Sequence, residues 1–461
     1  MNSLLLTGGR VVDPANKFDA IADVLILNGK ISAVGKKLSD PAGVATFDAK
    51  GKIVSPGLID LHVHFREPGQ TAKENIASGT AAAARGGFTS VVCMPNTSPA
   101  IDSAGTVALI HERAEREGLV NVFVTGTITK NIAGEELSPI GGLKKAGVVA
   151  ITDDGHCIQN NDLMRRACEY AKMFDLPLMD HCQDYSLVTD GVMHEGYWNV
   201  ALGLRGWPAA GEEMIVARNI LLAELTGAKI HCQHLSAAGS VRLLREAKKR
   251  GVSISGEACP HHFTLTDAVV AGSEKFWADD GKSLGSSLVT RHSPLPQWPA
   301  YDTNFKMNPP LRSARDREAS LEGVADGTIE IWCSDHAPHC DYEKEVEFDY
   351  APFGITGLET ELALSLMQLV HTKRISLADM IAKFTINPAR LLNLPKGTLS
   401  VGADADVTVF DPDAEWIFNR EDSASKSKNN PFFGWQLKGR VAATIVGGRK
   451  VFVEQPELAA V

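Results

Sequence analysis

From Ile53 onward the chain repeats one pattern eight times: a short apolar run rich in β-formers, then a stretch with helical spacing, then the next run. The runs are Ile53 to His64, Ser90 to Met94, Val120 to Thr127, Val148 to Thr152, Leu176 to His181, Ala228 to His234, Val252 to Cys259 and Ile329 to Ser334. Strands that are apolar on both faces need cover on both, and alternating helices provide it on a parallel sheet. Val241, Leu244 and Ala247 show the spacing of one such helix face, and Gly251 follows where the helix would stop. Eight units of this kind predict an α/β fold whose centre is a closed (β/α)8 barrel.

Functional side chains in such barrels project from the C-terminal ends of the strands. Most of the runs close on polar chemistry there: His62-Val-His64, Asn96, Asp153-Asp154, His181, His234, His261-His262 and Asp335-His336. The pattern fails at both ends of the chain. Residues 1–52 and 397–461 hold short strand-like runs (Leu4 to Thr7, Val24 to Leu27, Val407 to Phe410, Ala443 to Val446) broken by Gly-Gly, Asn-Gly and Gly-Lys turns. They predict one small composite β domain built from both termini, beside a barrel at 53–396. The polar stretch Asp422 to Asn430 reads as a loop. Gly272 to Asp302 contains Trp277, Trp298, Pro294, Pro296 and Pro299 without a period, and reads as a lid, a partner surface or an inert insertion.

A chain of 461 residues accommodates this plan, and 44% apolar with 22% charged residues is the balance of a soluble globular protein. No stretch approaches the ~20 apolar residues that cross a bilayer, and no leader is evident, so a cytoplasmic location is expected. A net charge of -10 and a pI near 5.8 argue against nucleic acid and for a small-molecule substrate. The eight cysteines form no C-x-x-C and mostly lie in apolar runs, where buried reduced thiols are expected.

Strand alternation places His62 and His64 on one face, able to share a cation. Asp154, His181, His234 and Asp335 follow at later strand ends. Unpaired, six such groups would be costly to hold together, whereas a divalent metal satisfies and orients them. Imidazole and carboxylate without thiolate favour zinc, with manganese or cobalt as substitutes. Alternation forbids Asp153 and Asp154 from both facing inward, so one is a ligand and the other supports it or makes a turn. His231 precedes the better-placed His234 and is expected to face the helix layer. His261 and His262 support the site or pack, and His111, His194, His292 and His371 are read as structural or solvated. Arg66 and Asn96, a cation and an amide beside the metal mouth, suit a substrate carboxylate, and His339 would complete that anion site.

Taken in order, His62-Val-His64-Phe-Arg66-Glu-Pro-Gly, Met94-Pro-Asn96-Thr, Thr152-Asp-Asp154-Gly, Asp180-His181-Cys, Lys306-Met-Asn308-Pro-Pro-Leu-Arg and Ser334-Asp335-His-Ala-Pro-His339 resemble the successive motifs of bacterial type I dihydroorotases of the amidohydrolase superfamily. The resemblance spans almost the whole chain and includes the C-terminal Gly-Ala-Asp-Ala-Asp406 segment. It implies a TIM barrel with a composite β domain, and one or two zinc ions per subunit held by His62, His64, Asp154, His181, His234 and Asp335. It implies further that Arg66, Asn96, Asn308 and His339 hold dihydroorotate, with the backbone at Phe353-Gly354 closing over the ring. Where many relatives bridge two metals with a carboxylated lysine, this chain has Thr-Asp-Asp-Gly, as in the branch where aspartate takes that role.

A metal in this mouth would acidify water and polarise an amide carbonyl, while Asp335 would pass a proton to the leaving ring nitrogen. The resemblance thus implies reversible cyclisation of N-carbamoyl-L-aspartate to dihydroorotate in pyrimidine biosynthesis. It also implies a homo-oligomer able to associate with aspartate carbamoyltransferase. Hydantoinase, dihydropyrimidinase and allantoinase act on similar ring amides, and Arg66 and Asn96 discriminate against them by providing for a carboxylate. A noncatalytic assembly partner is the alternative from another class, and the complete ligand set argues against it.

Overall fold

The computed structural model describes residues 2–39, 41, 43–275, 278–279, 282–283 and 296–454. Eight parallel strands follow one another around the barrel in chain order: Leu58–Val63, Phe88–Cys93, Asn121–Gly126, Ala150–Thr152, Leu178–Asp180, Ile230–Cys232, Ile254–Ala258 and Ile331–Trp332. A parallel bridge between Val63 and His336, with His64 N donating to His336 O at 2.8 Å, joins the last strand to the first. Leu61, Val92, Met94, Ala150, Met179 and Ile331 pack the interior. A second, larger cluster fills the layer between strands and helices.

The helices form where the spacing predicts. In Ala238–Lys249 the buried face includes Val241, Leu244 and Ala247, and Lys248 and Lys249 sit in the last turn against the negative end of the dipole. Asn160 caps Asn161–Lys172, its side chain accepting from the Asp162 and Leu163 amides.

The first apolar run is not one strand. Ile53–Pro56 pairs with Leu4–Asp13 and Val407–Ile417, and the chain enters the barrel only after Gly57. A side chain at Gly57 would place Cβ 2.0 Å from Thr89 Oγ1, so the crossing needs a residue without one. The terminal runs meet in a single mixed sheet, in which the Leu4–Asp13 and Phe18–Leu27 pair from the N-terminus joins Val407–Ile417 and Gln436–Val446 through Ile53–Pro56. Val11, Val24, Ile26, Val407, Val409 and Ile445 form its core. This sheet continues the barrel's first strand and leaves the opposite strand ends free for chemistry.

All eight cysteines are free thiols, and only Cys340 is not buried. Among the described residues no helix is long and apolar enough to cross a membrane. Trp277, His292 and Pro294 of the expected insertion lie outside the described residues. Within it, Trp298 donates its indole N–H to Val269 O at 2.9 Å. The Asp422 to Asn430 stretch is irregular, as expected, yet Ser425, Ser427, Asn429 and Asn430 are buried in it.

Candidate metal centre and substrate pocket

His62 is the penultimate residue of the first barrel strand, and His64 follows just beyond its end. Asp154, His181, His234 and Asp335 follow their own strands. The structure draws these six side chains together, with Asp154 at the centre. Its Oδ1 lies 3.3 Å from His62 Nε2, 3.6 Å from His234 Nε2 and 3.7 Å from His181 Nδ1, while its Oδ2 lies 3.3 Å from His64 Nε2. Asp335 Oδ1 lies 3.1 Å from His64 Nε2 and 3.5 Å from His62 Nε2. All six are buried.

Oxygen contacts away from the cluster fix three of the imidazoles. His62 Nδ1 is 2.8 Å from Glu257 Oε1, His64 Nδ1 is 2.8 Å from Asn96 Oδ1, and His181 Nε2 is 2.9 Å from Gln183 Oε1. An N–H donated to each oxygen reserves the other nitrogen for the cluster, the arrangement that prepares imidazoles for metal. Two observations fit a cation there: His62 Nε2 and Asp154 Oδ1 are buried without a hydrogen-bond partner, and the lone pair of His181 Nδ1 meets His234 Nε2 at 2.8 Å. The donor set is nitrogen and oxygen throughout. His62, His64 and Asp335 form one converging triad and His62, Asp154 and His234 another.

The local charges follow from burial and contact. Burial opposes ionisation of Asp154 and Asp335. The facing imidazoles outweigh it, holding Asp154 well below the usual carboxylate range and Asp335 at about 2. Burial lowers His181 to about 4, aided by His234. His62 goes the other way, since Asp154 and Asp335 overcome its burial and raise it well above the ordinary histidine value.

The cluster floors a cavity of about 380 Å³ whose walls include Arg66, Asn96, Asn308, His339, Phe353 and Gly354. Arg66 is buried, and burial lowers its guanidinium to about 10 without discharging it near neutral pH. Its Nε donates to Pro338 O at 3.1 Å, and its Nη2 lies 3.3 Å from His339 Nε2. Asn308 Nδ2 donates to Gln183 Oε1 at 3.2 Å, and its buried Oδ1 has no partner among the described residues. Arg66, His234 and Asp335 adopt φ of 59°, 31° and 46°, the left-handed region that is uncommon outside glycine. The chain leaves strand geometry just where side chains must turn into the mouth. A larger hollow of about 650 Å³ near His111 and Asn121 lies at the other barrel end, and among the described residues no ligand set converges on it.

The Asp pair divides as alternation requires. Asp153 turns to the neighbouring strand end, accepting from the Ile128 and Thr129 amides at 2.7 and 3.0 Å. The expectation for His231 is overturned. Its Nε2 lies 3.1 Å from Glu257 Oε2, so it points into the barrel and not at the helices. The strand ends at Cys232 and His234 takes a positive φ, so counting alternation back from His234 assigns the wrong face. His262 Nε2 donates to Pro309 O at 2.9 Å. Cys259, His261 and His262 also converge, but burial pushes the thiol up to about 12 and both imidazoles down, leaving a neutral packed group.

Three contributors were not anticipated from the sequence. Glu257 was detectable as a lone acid inside an apolar strand run. Gln183, two residues after His181, had a weaker signal. Asn429 had none: it comes from the C-terminal segment, accepts the His339 amide on Oδ1 at 3.0 Å, and donates to Ala337 O and Gly354 O, both at 3.1 Å.

Comparison with known proteins agrees with this architecture. A family model described as dihydro-orotase-like matches residues 51–240, and an amidohydrolase family model matches residues 334–452. The chain is 50% identical over 453 residues to a dihydroorotase of Pelotomaculum thermopropionicum, covering 98% of this chain and 99% of that protein. It is 49% identical over 450 residues to a dihydroorotase of Geobacter sp. strain M21, with 98% and 99% covered. Among solved structures, an L-hydantoinase (dihydropyrimidinase) of Arthrobacter aurescens superposes with a TM-score of 0.83, covering 100% of this chain and 98% of that one. At 23% identity that likeness is one of fold.

Proposed function

The chain belongs to the dihydroorotase family of metal-dependent cyclic amide hydrolases, and from that premise we propose how its own residues carry out the reversible cyclisation of N-carbamoyl-L-aspartate to dihydroorotate. The carrying observation is Asp154, which reaches four imidazoles within 3.3 to 3.7 Å at the floor of a pocket walled by a buried arginine.

His62, His64, Asp154, His181, His234 and Asp335 would hold the metal, with His62 common to the two triads. The nitrogen and oxygen donor set favours zinc. A bound divalent ion supplies an acidified water and a Lewis acid for the ring carbonyl. Asp335, ionised across the working pH range, accepts the proton released on attack and delivers it to the ring nitrogen as the amide bond breaks. In the biosynthetic direction it takes that proton back as the ring closes. Arg66 grips the substrate carboxylate with a planar fork, and Asn96 and Asn308 offer amide groups to the ring. His339 keeps its place against Phe353 O, at 2.9 Å from Nε2. Pro352–Gly354 covers the ring and limits access of bulk water.

The reading extends to a cytoplasmic homo-oligomer that associates with aspartate carbamoyltransferase, and for this it rests on the family resemblance. The deciding experiment measures dihydroorotate hydrolysis and carbamoyl-aspartate cyclisation on purified protein, with metal content determined in parallel. Turnover in both directions with zinc bound is expected. Metal-loaded protein that ignores dihydroorotate, or prefers an uncharged hydantoin, refutes the assignment.

A further inference from the structure

Two irregular segments wall and roof the substrate pocket: one runs through Lys306 to Asn308, the other follows the short helix Asp341–Lys344 and reaches Gly354. No sheet ladder holds the roof at Pro352–Gly354, yet that backbone must keep a fixed height above the ring. Beyond the bridge of His336 to Ile355 and the bond from Asn429 Nδ2 to Gly354 O, it is held by hydrogen bonds to and from two lysines. Lys306 Nζ donates to Phe348 O at 2.7 Å and Asp349 O at 3.0 Å, and Gly354 N donates to Lys306 O at 3.0 Å.

The central group is Lys344. Its Nζ donates to Pro352 O at 2.9 Å, Gly354 O at 3.1 Å and Lys306 O at 3.3 Å. An ammonium has three N–H groups and no acceptor, so these three carbonyls, two on the roof and one on the wall, use its full capacity. Lys344 is 5% exposed, and among the described residues no carboxylate lies within ion-pair distance of it. Such burial is expensive for an ammonium. Burial, and next the Lys306 ammonium, push its pKa down to about 7. An apolar side chain of similar length would fill the same space without that cost, so packing alone does not account for a lysine. The roof also runs close over the strand end: Gly354 has φ of 128°, and a Cβ there would lie 2.8 Å from Ala337 Cβ, so this approach requires glycine.

We propose that Lys344 is a positioning residue for substrate: by clamping the carbonyls of Lys306, Pro352 and Gly354 it sets the roof against the ring, and its loss is felt in substrate binding and not at the metal. The proposal rests on reading this pocket as the dihydroorotate site.

Lys344→Met and Lys344→Arg test it through steady-state kinetics in both directions, metal content, and hydrogen exchange of residues 350–356. For Lys344→Met the KM for dihydroorotate should rise at least about tenfold while kcat stays within about threefold, because the roof contacts the ring away from the reacting atoms and so binds ground and transition state alike. Metal content should be unchanged, and exchange should accelerate in the roof but not in the barrel strands. Lys344→Arg keeps the charge and bulk, but its planar fork cannot aim three donors at one triangle of carbonyls, so its KM should lie between parent and Lys344→Met. A parent-like KM in folded Lys344→Met overturns the proposal. So does parallel loss of metal and kcat, which would place the effect at the metal centre. Should Lys344→Met fail to fold, a parent-like KM and roof exchange in Lys344→Arg overturn it alone. A parent protein inactive on dihydroorotate refutes the pocket assignment instead. The clamp would then stand or fall on whether roof exchange accelerates in the variants.

Discussion

Glu257 Oε1 lies 2.8 Å from His62 Nδ1, and this contact selects the nitrogen that His62 turns toward the ligand cluster. Glu257 Oε2 is shared with His231, and burial of the pair leaves no solvent to replace either contact. The facing imidazoles outweigh burial and hold the Glu257 carboxyl well below its ordinary value, so it stays an acceptor. Glu257→Ala should therefore weaken metal binding by about 10- to 100-fold, as loss of a partner behind a metal ligand generally does. Metal titration of stripped protein checks this, and an unchanged affinity would show that His62 is oriented by packing alone.

Asp335→Asn should lower kcat by about 10²- to 10⁴-fold, the range for removing a general acid or base. Metal analysis must accompany the assay. Retained metal with near-parent turnover would exclude Asp335 as the proton carrier.

Arg66 is predicted to decide the substrate. If His339 donates its Nε2 proton to Phe353 O, the same nitrogen cannot accept from Arg66 Nη2 at 3.3 Å, which leaves that guanidinium edge for a carboxylate. A charge-assisted pair contributes roughly 1.5 to 3 kcal/mol, or about 10- to somewhat over 100-fold in efficiency. Arg66→Met should impair dihydroorotate by that factor and an uncharged ring amide far less. The ratio of the two efficiencies in parent and variant is the measurement, and an unchanged ratio would remove Arg66 from carboxylate recognition.

If, as the family resemblance implies, Asp154 takes the role that a carboxylated lysine plays in many relatives, activity should not depend on dissolved carbon dioxide. Protein assayed after removal of carbon dioxide and bicarbonate should match the untreated sample. Loss of activity that bicarbonate restores would show that a carbamate is needed.

Metal affinity should rise with pH. In metal-free protein the Asp154 and Asp335 charges raise His62 above the ordinary value near 6.5, so it carries a proton at neutral pH that must leave before Nε2 can ligate. His181, lowered to about 4, is already neutral there and adds nothing. Binding should release about one proton near pH 7, and affinity should fall as pH drops. Calorimetry in buffers of different ionisation enthalpy reads the proton count directly, and a count of zero would contradict the protonated state of His62.

The barrel, the six imidazoles and carboxylates that gather at its mouth and the meeting of the two termini were legible in the sequence, because they depend on local quantities. Apolar runs separated by helical periods dictate alternating strands and helices, and imidazoles and carboxylates at successive strand ends have few uses besides metal. The face that each residue takes was less legible. Strands of two or three residues leave too little alternation to count, and a single positive φ at His234 reverses the parity on which the placing of His231 depended. The division of Ile53 to His64 between two sheets was hidden for a similar reason, since both halves are equally apolar and only the approach of Thr89 to Gly57 marks the crossing. Contacts that join distant parts of the chain were not legible at all. Asn429 reaches Gly354 across 75 positions and Lys344 gathers carbonyls from two loops, and no periodicity records either pairing. Local chemistry decides which residues this chain has for its reaction, and tertiary packing decides their orientation, because hydrogen-bond geometry exists only once separate loops are brought within about 3 Å of each other.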